Sequence, residues 1–252
     1  MSAANTAEIG GAEVEGRRAV LELLRARTRN VRSVLLAAGL DRDDTIDAIV
    51  AAAGSRLQTV PPDRLRAAAH TDAPQGVVAT ADPLRAHDFD DLLANPAAFL
   101  VVLDGVTDPR NLGAIVRAAE TAGATGIVLG KHRRAPVNAA AAKTAAGAIE
   151  HVPFALVGGI PAALERAKRA GVWCAGLDGD APATVTDLPF ATDPLALVLG
   201  AEGSGLASLT RRRCDVLVSI PMRGAIESLN VAAATAVACH EIARLRAIAG
   251  AS

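Results

Sequence analysis

Three short segments combine polar side chains with the glycines and capping residues that strand-to-helix loops favour. The first, DGVTDPRNLGAIVR at residues 104–117, carries Asn111 at an expected helix start and Arg117 six residues further on. The second, LGAEGSGL at residues 199–206, sets Glu202 among three glycines. The third, IPMRGAIESLNV at residues 220–231, brings Ser228 and Asn230 to the entrance of another helix. Each has a plain structural reading: Asn111, Ser228 and Asn230 as helix caps, Arg117 as a solvated side chain, Met222 as a gap filler. The glycines of the second loop read either as an ordinary turn or as a place where backbone approaches a ligand. Their positions, 200, 203 and 205, do not fit the G-x-G-x-x-G phosphate fingerprint, which argues against a nicotinamide oxidoreductase. A carboxylate such as Glu202 in a loop of glycines is better explained by a site than by packing.

These segments need a frame, and the hydrophobic pattern supplies one. Strand-like runs alternate with helical stretches, the pattern of a mostly parallel α/β sheet covered by helices. In the first part, helices are expected at 15–29, 43–53 and 61–69, with strands at 31–38, 57–60 and 76–80. A linker is expected near residues 82–97, where Asp82-Pro83 and Asn95-Pro96 break regular structure. Strands then follow at 99–103, 126–129, 152–157, 172–176, 195–199 and 216–220. The helices between them lie at 111–123, 137–147 and 161–170, with a last long one from about 229. All three loops close strands of this second part, and in open α/β sheets ligands collect at the carboxyl ends of strands.

Composition narrows the function classes. Of 252 residues, 51% are apolar, enough for a large core, yet no stretch approaches the roughly 20 uncharged residues of a bilayer span. The N-terminus lacks a basic region followed by an apolar one, so a cytoplasmic protein without membrane association is expected. The three cysteines (174, 214, 239) and five histidines show no ligand spacing, and no metal is expected. Net charge is −1, but residues 1–95 carry 11 basic against 14 acidic groups and residues 96–252 carry 15 against 13. A polyanion would therefore be gripped by the second half. The basic run Lys131, His132, Arg133, Arg134 is a candidate for RNA phosphates, alongside its reading as a solvated loop. Aromatic residues make up only 2%, which disfavours recognition by base stacking.

Taken together, the three segments resemble the three motifs of the SpoU (TrmH) family of RNA 2′-O-methyltransferases, in order and spacing, over residues 98 to 246. The earlier stretch, from Val14-Glu15-Gly16-Arg17-Arg18-Ala19-Val20 to Gln75-Gly76-Val77-Val78-Ala79, resembles the family's small L30e-like substrate-binding domain. Two positions depart from the common pattern, Pro74 where many relatives have histidine and Ala232 in place of a serine. The resemblance implies a flexible N-terminus (1–13), an L30e-like RNA-binding domain (14–81), a linker (82–97) and a methyltransferase domain (98–252) tied in a trefoil knot. It also implies a homodimer, S-adenosylmethionine as methyl donor, and RNA as substrate. A guanosine of 23S rRNA is the expected target, with tRNA, an antibiotic-site rRNA nucleotide or a non-catalytic RNA-binding role as alternatives. By the family pattern Asn111, Arg117, Glu202, Ser228 and Asn230 are catalytic. Leu199, Gly200, Ala201, Ile220, Met222, Leu229 and Asn230 hold the donor, and Lys131, Arg133 and Arg134 meet RNA.

Overall fold

The computed structural model describes residues 7–250; residues 1–6, where the expected flexible N-terminus begins, lie outside the described residues. The first part runs β1 (Glu8–Gly10), β2 (Glu13–Glu15), α1 (Arg17–Ala26), β3 (Val31–Ala37), α2 (Asp44–Ala53), β4 (Leu57–Val60), α3 (Pro62–Ala68) and β5 (Val77–Ala81). Its sheet has the order β2-β5-β3-β4. Residues 13–15, expected to lie partly in a helix, are a strand because Val14 is a core residue and Gly16, at φ 95°, makes the break into α1. Along α1, Ala19, Val20, Leu23 and Leu24 share the buried face and pack on Ile46 and Ile49 of α2. Asp43 caps α2 by accepting the Ile46 N–H, and Pro62 sits in the first turn of α3.

Residues 82–97 are packed rather than loose. They hold β6 (Leu84–Arg85), which pairs with β1, and α4 (Phe89–Leu93), capped by Asp88. The acidic residues that suggested a linker are the polar face of α4, while Phe89, Leu92 and Leu93 are buried. Gly126 makes room for them, since a Cβ there would lie 2.2 Å from Leu92 Cδ2.

The second part runs β7 (Phe99–Asp104), α5 (Pro109–Thr121), β8 (Gly126–Gly130), α6 (Ala139–Ala145), β9 (Phe154–Val157), α7 (Ile160–Arg169), β10 (Trp173–Leu177), β11 (Ala183–Thr184), β12 (Leu195–Gly200), α8 (Ser208–Arg213), β13 (Val216–Ser219) and α9 (Val231–Gly250). Its seven strands are ordered β11-β13-β10-β12-β7-β8-β9 and every pairing is parallel. Such a sheet is covered on both faces, so its central strands are apolar throughout. In β12, Leu195, Leu197 and Leu199 point to the face carrying α5, α6 and α9, and Ala196 and Val198 to the other. From β7 the chain builds outward through β8 and β9 on one side, while β12 lies on the other. The β7/β12 boundary is thus a topological switch point, where the strand ends leave a crevice. No helix among the described residues is long and apolar enough to cross a membrane.

The two sheets are joined by a buried ion pair. Arg29, at 6% side-chain exposure, meets Glu150, at 0%, through Nη2–Oε1 (2.5 Å) and Nε–Oε2 (2.9 Å). Its remaining N–H group donates to the carbonyls of Gly11 and Asp82. Around it, the Gly11 N–H donates to the Val137 carbonyl and His151 meets Glu22. Removing one partner of a buried pair strands the other charge. Glu150→Ala is therefore expected to lower unfolding stability by about 3–5 kcal/mol, seen as a fall in Tm of roughly 10 °C in calorimetry. A shift under about 2 °C would show that the pair does not hold the sheets together.

Candidate active site

The switch point is built by two strand ends in register, Asp104 of β7 opposite Gly200 of β12. After β7 the chain turns at Gly105 (φ 88°) and Asp108 caps α5, its carboxylate accepting the Arg110 N–H at 2.8 Å. The helix therefore begins at Pro109, two residues before the expected start, because Asp108 and Pro109 together make the better cap and first turn. Asn111 consequently sits inside the first turn, its side chain free to reach outward.

What it reaches is Glu202. The loop after β12 doubles back, with Ala201 and Gly205 exchanging main-chain hydrogen bonds of 3.0 and 2.9 Å. A Cβ on Gly200 would fall 2.1 Å from the Gly205 carbonyl carbon. The glycine at 200 thus serves the loop's own close return. Gly203 and Gly205, at φ 79° and 64°, close the turn and leave Glu202 projecting. Asn111 Nδ2 donates to Glu202 Oε2 (3.0 Å) and Asn230 Nδ2 donates to Oε1 (3.1 Å). Asn230 Nδ2 also lies 3.2 Å from Asn111 Oδ1, and Asn230 Oδ1 accepts the Ala232 N–H at the start of α9. Asn230 is a capping residue and a member of the cluster at once. One carboxylate thereby connects three loops that span 119 residues of chain.

The third loop is open. Residues 221–230 are exposed, and among the described residues no main-chain hydrogen bond involves 221–229. Met222, Ile226 and Leu229 are 38%, 72% and 40% exposed. The segment thus offers apolar surface beside free amide donors and acceptors. Ile220 continues β13, two strands from Gly200 on the same carboxyl edge. Of the residues expected at the donor site, Leu199 is 1% exposed, so its side chain belongs to the core and only its backbone faces the edge.

Two expected catalytic residues are not tied into the cluster. Ser228 is exposed and has no hydrogen-bond partner among the described residues. Arg117, almost two turns beyond Asn111, projects from a different side of α5 and makes no ion pair among the described residues. It opens instead onto a cleft of about 540 Å³ between the two sheets, which Arg18, Arg110 and Lys143 also line. Those three were missed in the sequence, although the seven-residue spacing of Arg110 and Arg117 places both on one helix face. Lys131 and Arg133 are exposed after β8 on the same sheet edge, and Arg134 donates to the carbonyl of Ala135. Burial pushes the thiols of Cys174, Cys214 and Cys239 up to about 12, so none supplies a thiolate near neutral pH. Among the described residues no group of three His, Cys, Asp or Glu is placed to hold a metal ion.

Comparison with known proteins finds relatives along nearly the whole chain. Residues 98–240 match the SpoU rRNA Methylase family, and residues 14–87 match the family described as RNA 2'-O ribose methyltransferase substrate binding. The chain is 41% identical to the 23S rRNA (guanosine-2'-O-)-methyltransferase RlmB of Ralstonia nicotianae, over 92% of this chain and 95% of that protein. It is 38% identical to the enzyme of the same name from Yersinia pestis, over 93% and 98%. Among solved structures, the SpoU methyltransferase AviRb from Streptomyces viridochromogenes in complex with AdoMet superposes with a TM-score of 0.78 at 28% identity, covering 93% of this chain and 90% of that one. The AdoMet-bound rRNA methyltransferase from Sinorhizobium meliloti gives 0.76 at 25%, over 92% and 87%. With three loops of the switch point joined through Glu202 and relatives matched along nearly its whole length, the chain belongs to the SpoU rRNA methylase family.

Proposed function

We propose that this chain transfers a methyl group from S-adenosylmethionine to a ribose 2′-hydroxyl of RNA, a guanosine of 23S rRNA, in the cytoplasm. The observation that carries the reading is the convergence of the three loops on Glu202, with Arg117 of the same helix as Asn111 facing an open cleft. The similarity to RlmB enzymes over more than nine-tenths of the chain supports the rRNA target.

The residues present suit the donor. The free amides of 221–229 and the backbone at Leu199, Gly200, Ala201 and Ile220 read the adenine edge, while Met222 and Leu229 cover its faces. Asn230 fixes where this loop joins α9. S-adenosylmethionine supplies a methyl group on a positively charged sulfonium. Everything else is positioning, in which most of the rate gain resides. A guanidinium makes a poor proton acceptor, so the role proposed for Arg117 is binding and not proton removal. It binds a phosphate of the target nucleotide and stabilises the ribose oxygen as its proton departs to solvent. Glu202 holds Asn111 and Asn230 in place, and Ser228 hydrogen-bonds the substrate from the open loop.

We also infer a homodimer, with the active site near the subunit interface. The exposed Ile226, Leu229 and Val237 suit such a contact. We further propose that residues 14–81 are an L30e-like RNA-binding domain and 98–252 a trefoil-knotted domain, with Lys131, Arg133 and Arg134 on RNA. The late insertion of β12 and β13 into a sheet already built from β7 and β10, followed by return of α9 onto α5, supports the knot.

With methyl-tritiated donor, the protein is expected to label 23S rRNA in a dinucleotide that resists alkaline hydrolysis, as a 2′-O-methyl must. Label confined to tRNA, or released by alkali, would overturn the assignment. Lysine at position 117 keeps charge but loses the guanidinium fork. Arg117→Lys is therefore expected to lower kcat at saturating RNA by about 100-fold, with donor affinity by calorimetry unchanged. Retention of near wild-type kcat would remove the phosphate and alkoxide role.

A further inference from the structure

The cleft onto which Arg117 opens lies between the two sheets and is walled by α1 on one side and by α5 and α6 on the other. Four cations line it: Arg18, Arg110, Arg117 and Lys143. Two carboxylates face them. Glu15 is fully buried and spent on the N–H groups of His70 and Thr71 and the Thr71 hydroxyl, and Asp72 lies exposed. Lys143 Nζ is engaged by the carbonyl of Ala73. Arg18, Arg110 and Arg117 are exposed, and none has an ion-pair or side-chain hydrogen-bond partner among the described residues. Three unpaired guanidinium groups around one cavity form a site for an anion with several charges.

We propose that this cleft is a track for the RNA backbone, in which Arg18 and Arg110 bind phosphates flanking the nucleotide whose ribose meets Arg117. The inference rests on the methyl-transfer reading and adds residues to it, one of them from the acidic half of the chain. The apolar part of the lining consists of alanines (19, 73, 140, 146), with no aromatic ring and no large anchor. A protein partner would need such an anchor, and base stacking would need a ring. Phosphate contacts need neither. On α5, Arg110 and Arg117 stand on one face about 10 Å apart along the axis, so the two cations address separate groups.

The track is held in shape. A Cβ at Gly113 would lie 2.4 Å from the Ala141 carbonyl oxygen, so α5 and α6 cross in near backbone contact and fix the Arg110, Arg117 and Lys143 side. On the facing side Gln75, which also lines the cleft, takes a left-handed conformation (φ 57°) while its side chain accepts the Arg17 N–H. Non-glycine residues in that region persist where the surroundings enforce them, often at functional sites.

The test is RNA affinity across a range of salt, measured with full-length protein and a 23S rRNA transcript in the absence of donor. Arg18→Ala and Arg110→Ala are each expected to flatten the slope of log K against log salt by about 0.7–0.9, with the two effects adding in the double variant. Arg18→Lys keeps the slope, because a lysine also neutralises a phosphate. Arg64→Ala, an exposed arginine of α3 outside the cleft, keeps it as well. In turnover, Arg18→Ala raises KM for RNA more than it lowers kcat. Both side chains are exposed and unpaired, so each alanine variant is expected to fold, which its Tm verifies. Unchanged slopes in both alanine variants overturn the track and leave methyl transfer standing. Flattened slopes in a protein that methylates no RNA do the reverse.

Discussion

Glu202 cannot stand alone in its loop and still hold a fixed position, and the structure answers that constraint with two amides from opposite ends of the domain. Hydrogen bonds to a charged acceptor are worth about 1.5–3 kcal/mol each when shielded from water and less where exposed. Their larger effect is geometric. Asn111 is set by the cap of α5, Glu202 by the turn after β12, and Asn230 by the start of α9, so the carboxylate registers three elements against one another. Parallel pairing of β7 with β12 makes this possible by ending both strands at one edge.

The same economy of space recurs wherever the chain crosses itself. Gly200 admits the return of its own loop, Gly113 admits α6, and Gly126 admits Leu92. Each glycine lets backbone or core approach where a methyl group would collide. Between the sheets the problem is charge, not volume. There Arg29 and Glu150 satisfy each other while the carbonyls of Gly11 and Asp82 take the remaining guanidinium protons. The joined sheets leave a cleft whose arginines, Arg18, Arg110 and Arg117, lack such partners among the described residues.

Much of the frame was legible in the sequence because it follows local periodicity. Six of the seven strands from Phe99 to Ser219 were readable as apolar runs, β11 being too short to show one, and the site loops as glycine and capping signatures at strand ends. The features that escaped depend on contacts distant in sequence. The acidic residues 88–91 looked like a linker because nothing local shows that Phe89 and Leu92 meet the far face of a sheet. The start of α5 was placed late because Asn111 competed with Asp108 as a cap, and only the bond to Glu202 shows what the asparagine does instead. Arg18 was hidden by averaging, since it lies in the half with net negative charge yet faces the cations of the other half.

The proposed surface for the methyl donor joins the segments after β12 and β13, which are distant in sequence. Hydrogen exchange read by mass spectrometry, with and without S-adenosylhomocysteine, addresses this directly. Peptides covering 199–206 and 220–230 are expected to gain protection together while those of α7 do not change. Protection of one segment without the other, or of neither at saturating ligand, would contradict it.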